Sequence, residues 1–228
     1  MNFGALSERL AHVRAEIARR QAAAGWTHPV TIVAVTKGFE LDAVEAALAA
    51  GLTDLGENRV QEALAKIDTP AGRRATWHLI GHLQRNKVKS LDRFVLLHSL
   101  DSSRLADAVC AYGIERGRAV DVLVELKLSG EQSKGGYSLS ELLPEAERLT
   151  TLSGLRVRGV MTMASFSASE SELHRTFAEA REGRAMLVDA GHPAEELSMG
   201  MSNDYEIAVE EGATMVRIGT TLFGVRAK

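Results

Sequence analysis

A pattern repeated eight times restricts this chain more than any other feature: a short apolar run, then a stretch with helical spacing. The clearest run, Val30-Thr31-Ile32-Val33-Ala34-Val35-Thr36, is β-branched and apolar without alternation. A parallel strand covered on both faces requires this composition, because neither face meets water. The run stops abruptly at Lys37-Gly38 and gives way to Leu41-Asp42-Ala43-Val44-Glu45-Ala46-Ala47-Leu48, rich in helix formers, with Gly51 placed as a C-cap. Further strands are predicted at 53–56, 76–80, 94–98, 121–126, 155–161, 195–199 and 214–218. Helices are predicted between them, at 58–67, 84–91, 102–116, 138–149, 169–190 and 203–211. An extra helix over 3–24, with Leu6, Leu10, Val13 and Ile17 on one face, precedes the first strand. Strict β/α alternation implies a parallel sheet, and eight units imply a closed (β/α)8 TIM barrel. The strands at 53–56 and 195–199 are short and partly polar; an open α/β sheet is the fallback if either fails.

The 228 residues contain four prolines and no Ser/Gly-rich tract, so no linker is visible, and residues 1–228 are read as one domain. A net charge of −3 and the lack of a basic tail argue against nucleic-acid binding through bulk electrostatics. The N-terminus has no apolar segment of signal-peptide type, and no apolar run is long enough to span a bilayer. A cytoplasmic protein without membrane contact is expected. The single cysteine, Cys110, lies in an apolar helical pattern and reads as a small core residue.

Polar and glycine residues collect just past the predicted strands, where α/β barrels build their sites. The first strand ends in Lys37; the second leads to Gly56-Glu57-Asn58; the third carries His78 and exits through Gly81-His82. The seventh runs into Gly200-Met201-Ser202-Asn203-Asp204, and the eighth ends in Arg217-Ile218-Gly219-Thr220. Ser202 reads as an anion ligand beside backbone N–H groups at a helix start; equally, Ser202 or Asn203 reads as an N-cap completed by Glu206. Gly219 and Thr220 add a second close backbone approach and a second hydroxyl. Arg217, at the end of an apolar strand, needs a partner or an open cavity. His78 and His82 are four apart, but along a strand and its exit this spacing does not converge on one metal ion. His78 counts among the candidate contacts because it can face the barrel mouth; a hydrogen-bonded core histidine is the competing reading. Trp26 and Trp77 read as packing residues. A lysine amine, an arginine and a phosphate cradle at one barrel mouth are the parts that hold pyridoxal 5′-phosphate (PLP).

Six motifs then carry a resemblance along essentially the whole chain. They are Ala34-Val35-Thr36-Lys37, Gly56-Glu57-Asn58 with Val60-Gln61-Glu62, and Trp77-His78-Leu79-Ile80-Gly81 with Gln84 and Asn86-Lys87. The others are Ser133-Lys134-Gly135, Leu197-Ser198-Met199-Gly200-Met201-Ser202, and Val216-Arg217-Ile218-Gly219-Thr220 with Phe223-Gly224. Together they resemble the pyridoxal phosphate homeostasis protein family. The resemblance implies the barrel of the alanine racemase N-terminal domain, with PLP held as an aldimine on Lys37. It also implies that Ser202, Gly219 and Thr220 bind the phosphate, that Arg217 meets the pyridine nitrogen, and that Asn58 lines the site.

The implied role is reversible binding of PLP, the active form of vitamin B6, and its buffering or delivery to PLP-dependent apo-enzymes by a monomer without catalytic activity. The alternative is a PLP-dependent amino-acid racemase or a related PLP enzyme. Two features weigh against it: the eight units use up the chain, leaving no second domain to supply an opposing tyrosine, and an arginine at the ring nitrogen disfavours the pyridinium electron sink. Of the three tyrosines, Tyr112 is expected on the barrel's outside and Tyr137 and Tyr205 near its mouth. Two departures from the family stand out. Its usual Ser-Lys-Thr-Lys-Pro reads Thr36-Lys37-Gly38-Phe39-Glu40 here, without the second lysine, and the tyrosine often following Gly-Glu-Asn is Arg59. Arg59 is expected to make the cofactor's surroundings more cationic.

Overall fold

A computed structural model describes residues 3–128 and 135–225. Eight strands form: β1 (Thr31–Val35), β2 (Asp54–Glu57), β3 (Thr76–Leu79), β4 (Leu96–Leu100), β5 (Val120–Leu126), β6 (Leu155–Thr162), β7 (Glu196–Met201) and β8 (Met215–Ile218). They close into a parallel barrel in sequence order, sealed by β1 against β8 with Thr31 opposite Met215 and Ala34 opposite Ile218. The two short strands in question, β2 and β7, each pair on both sides, which rules out the open sheet.

The helices are α1 (Leu6–Ala24), α2 (Leu41–Ala49), α3 (Val60–Ile67), α4 (Ser103–Glu115), α5 (Leu139–Thr150), α6 (Glu170–Asp189), α7 (Tyr205–Glu210) and α8 (Thr220–Phe223). Because α8 is one turn long, α1 covers the barrel beside it. Arg9 of α1 donates to the Leu222 carbonyl at 3.1 Å, and Arg20 pairs with Glu206 and Glu210 of α7. Leu6, Leu10, Val13 and Ile17 are buried, as their spacing requires.

The core has two layers. Leu96, Leu123, Met161 and Met215 pack together inside the barrel, while the larger apolar cluster fills the space between the strands and the helices. Cys110 is buried in that outer layer. Among the described residues, no helix is long and apolar enough to cross a membrane.

Three boundaries differ from expectation in ways that matter. Residues 84–91 do not form an α-helix; Arg85–Arg93 is a 3₁₀ segment. Its buried residues, Val88 and Leu91, are three apart, the spacing that stacks side chains at three residues per turn. The strand expected at 94–98 runs from Leu96 to Leu100, which places His98 mid-strand and Asp101 just past its end. The helix expected from 203 begins only at Tyr205, because Asp204 turns back to accept a hydrogen bond from Met201 N at 2.5 Å.

Candidate functional site

The strand ends enclose a cavity of about 840 Å³ at the C-terminal mouth of the barrel. Six of the seven residues predicted from sequence line it: Lys37, Asn58, Ser202, Arg217, Gly219 and Thr220.

Lys37 is held by its neighbours. Phe39 N donates to the Thr36 carbonyl at 3.0 Å, closing a tight turn in which Gly38 takes a φ of 69°, a left-handed conformation costly for a side chain with a Cβ. Thr36 is itself clamped behind the strand: its hydroxyl donates to Glu57 Oε1 at 2.7 Å, and its carbonyl accepts from Lys66 Nζ at 2.8 Å. Lys66 and Glu57 form a buried ion pair at 2.6 Å. Phe39 stands where the family pattern has its second lysine. It is buried, forms a wall of the cavity and packs edge-on or tilted against Phe3 and Phe223, with ring centroids 6.2 and 5.4 Å away.

Asn58 is placed by a close backbone approach. A Cβ on Gly81 would fall 2.4 Å from the Asn58 carbonyl oxygen, so only glycine lets the loop after β3 lie against the loop after β2.

Ser202 is not the N-cap of α7; that position is Asp204, and Glu206 pairs with Arg20 instead of completing a capping box. The Ser202 hydroxyl reaches across to the loop after β8, where it accepts from Gly219 N and Thr221 N, both at 3.2 Å. Thr221 returns a bond to the Ser202 carbonyl at 3.3 Å. The loops after β7 and β8 are thus joined into one cradle of hydroxyls and amides.

Arg217 is buried. Its guanidinium donates to Ser198 Oγ at 2.6 Å and to the Thr162 carbonyl at 2.8 Å. Burial pushes its pKa down to about 10, against the pull of the Asp204 and Glu125 carboxylates. It remains a cation at neutral pH.

His78 does not line the cavity, which corrects its place among the candidate contacts. It is a buried interior residue bonded to His98 and Asp54. The mouth lies beyond the strand end, and His78 sits one residue short of it on β3 with its ring inside the barrel. Arg59 is also corrected: it is exposed, pairs with Glu62 at 3.3 Å and does not line the cavity. The surroundings are instead more acidic than expected. Asp101, Glu125 and Asp204 line the cavity, and His82 at the rim holds Asp101 at 2.6 Å. Burial, reinforced by Asp101, raises the Glu125 pKa; burial also raises that of Asp204. Glu125 and Asp101 carried the signal that found Arg217, a charge at the end of an apolar strand. Neither Tyr137 nor Tyr205 lines the cavity; the Tyr137 hydroxyl donates to Glu145 of α5 at 2.9 Å. Tyr112 points away too, donating to the Lys89 carbonyl. Trp26 and Trp77 donate to the carbonyls of Glu210 and Gly72, as packing residues. Ser133 and Lys134 lie outside the described residues. Among the described residues, no group of three or more His, Cys, Asp or Glu side chains is placed to hold a metal ion.

The family model described as alanine racemase, N-terminal domain, matches residues 9–227. A Pseudomonas aeruginosa protein named pyridoxal phosphate homeostasis protein is 39% identical over 224 residues, 97% of this chain and 96% of its own. The chain belongs to the pyridoxal phosphate homeostasis protein family. A solved member of Synechococcus elongatus, PipY, described with PLP bound, superposes with a TM-score of 0.84 at 37% identity, covering 96% of this chain and all of that one. Alanine racemase from Corynebacterium glutamicum shares the fold, with a TM-score of 0.75 at 17% identity, covering 99% of this chain and 62% of that one.

Proposed function

We propose that this homeostasis-family barrel binds PLP reversibly in the mouth cavity, buffers it in the cytoplasm and delivers it to PLP-dependent apo-enzymes. The observation that carries the reading is the convergence in one cavity of a lysine at a strand end, a buried arginine and a cradle of hydroxyls and amides. These parts fit the three polar ends of the cofactor, and Ile80, Met161, Met163 and Ala164 offer the apolar wall its ring needs. Lys37 would hold the aldehyde end, Arg217 the pyridine nitrogen, and Ser202, Gly219 and Thr220 the phosphate, with Asn58 beside them. When bound, PLP supplies an aldehyde that condenses with a lysine amine. As an obligate donor, the Arg217 guanidinium leaves a ring nitrogen opposite it as the acceptor, without a proton. That arrangement suits storage better than electron withdrawal. The protein acts as a single domain over residues 1–228 and as a monomer, without nucleic acid or membrane.

Two substitutions test the cradle. Ser202→Ala and Thr220→Val each remove one contact to an anion, worth about 1.5–3 kcal/mol, or roughly ten- to a hundredfold in affinity. Ser202→Ala also takes the shared acceptor from Gly219 N and Thr221 N. Titration with PLP should show weaker retention without loss of the lysine adduct. Unchanged dissociation constants in both variants would move the phosphate elsewhere.

On this reading no racemase turnover is expected. Proton transfer on both faces of a substrate carbon needs a second group positioned opposite Lys37, and the opposing tyrosine of a racemase has no counterpart here, since none of the three tyrosines lines the cavity. The cofactor-loaded protein should therefore leave single-enantiomer alanine and serine optically unchanged in deuterated water, with no sustained α-deuterium exchange. Multiple turnovers of either process would promote the enzyme alternative.

A further inference from the structure

The barrel interior below the cavity contains a polar array that reaches the cavity through Arg217. Arg217 lies 2.6 Å from Ser198 Oγ, and the same oxygen lies 2.9 Å from His98 Nδ1. His98 Nε2 is 3.0 Å from His78 Nδ1, and His78 Nε2 is 3.1 Å from Asp54 Oδ1. The five residues come from β8, β7, β4, β3 and β2, so the array crosses the barrel. It runs from the mouth to the opposite rim, where Asp54 opens β2 beside a separate cleft of about 340 Å³ under α1. Barrel interiors are ordinarily filled with branched apolar side chains, and buried imidazoles cost free energy unless both nitrogens are bonded. Here both nitrogens of both histidines are bonded.

The two ends set the direction of every bond. A guanidinium only donates and a carboxylate only accepts. With neutral imidazoles, one arrangement satisfies the whole array. Arg217 donates to Ser198 Oγ, the Ser198 hydroxyl to His98 Nδ1, His98 Nε2–H to His78 Nδ1, and His78 Nε2–H to Asp54. A protonated His98 would interrupt this order and set a second buried cation near Arg217. Burial, with His78 and Arg217 beside it, holds the His98 pKa well below the ordinary histidine value. The bond from His78 keeps Asp54 ionised by lowering its pKa.

We infer that Asp54, His78, His98 and Ser198 are positioning residues for Arg217, a one-way hydrogen-bond array anchored on a carboxylate at the far rim that aims the guanidinium into the mouth. The inference rests on the reading that the cavity holds PLP with Arg217 at its ring. Among the described residues, both hydrogen bonds of Arg217 end on neutral acceptors. Its orientation therefore depends on what those acceptors are tied to. Ser198 presents a lone pair to Arg217 because its own proton is committed to His98. His98 can accept that proton because its other nitrogen donates toward Asp54.

Histidine-selective nitrogen NMR, together with PLP titration read from the absorption of the bound cofactor, tests the array. Wild-type protein should show His78 and His98 both as Nε2–H tautomers. Asp54→Asn should keep them, since its amide oxygen still accepts; Asp54→Leu should release them. Asp54→Leu and Ser198→Ala should raise the dissociation constant for PLP about three- to tenfold and shift the cofactor band, with Asp54→Asn within about twofold of wild type. Leu123→Ala, a packing change in the same interior, should lower the melting temperature without shifting the band. The proposal falls if His98 carries its proton on Nδ1, if Asp54→Leu and Asp54→Asn bind PLP alike, or if Leu123→Ala shifts the band as far as Ser198→Ala does. The tautomer measurement needs no cofactor. A wild-type protein that shows the stated tautomers but takes up no PLP would therefore overturn the cofactor reading and leave the array standing.

Discussion

Lys37→Ala should abolish both the visible absorption of the PLP-loaded protein and any link to the chain that borohydride can reduce, while the barrel stays folded. The two halves of this expectation have separate causes. Lys37 follows the end of β1 and lines the cavity, so its removal leaves no hole in the packed core. The backbone beneath it is held by its neighbours: Thr36 is fixed through its hydroxyl by Glu57 and through its carbonyl by Lys66. The cradle of Ser202, Gly219 and Thr220 is untouched, so weak, noncovalent retention of PLP should survive. Peptide mapping after reduction checks the assignment. A reduced adduct on another lysine, such as Lys134, would defeat it, as would retention of the visible band in the variant.

The largest effect on stability should come from Lys66→Met. Lys66 and Glu57 are both buried, and among the described residues Glu57 Oε2 has no hydrogen-bond partner at all. The carboxylate therefore depends on Lys66 and on the Thr36 hydroxyl at its other oxygen. Removing one partner of a buried pair leaves an uncompensated charge and costs about 3–5 kcal/mol. For a chain of this size that lowers the melting temperature by roughly 6–20 °C. Pairing the change with Glu57→Gln should recover part of the loss, because the stranded charge is then gone. A double variant no more stable than Lys66→Met alone would show that Lys66 acts by packing and by its bond to the Thr36 carbonyl, and not by neutralising Glu57.

Much of this protein is legible in its sequence, for identifiable reasons. A strand buried on both faces has to be apolar along its length, so the eight strands announce themselves and their number implies a closed barrel. Parallel topology brings all the C-terminal strand ends to one rim, so Lys37, Asn58, Ser202, Arg217, Gly219 and Thr220 converge whatever the detailed packing. Asp101 and Glu125 were legible by the same logic. The segment at 84–91 misleads because two apolar residues three apart suit a 3₁₀ turn as well as an α-helix.

What sequence order alone settled, then, is the alternation of eight strands with helices and the rim at which the C-terminal strand ends meet; the pairing of β2 and β7 on both sides decided closure. Tertiary structure decided depth and facing. His78 is one residue from the end of a four-residue strand, yet it faces the interior below the mouth and bonds to His98, twenty positions along the chain. Arg59, next to the cavity-lining Asn58, points to solvent. Strand alternation allows either face, and only the register of β3 against β2 and β4, which sets His78 opposite Gly56 and Leu96, chooses one. Contacts between strands that never adjoin, such as His98 with Ser198, have no local signature, because they arise from closing the sheet on itself.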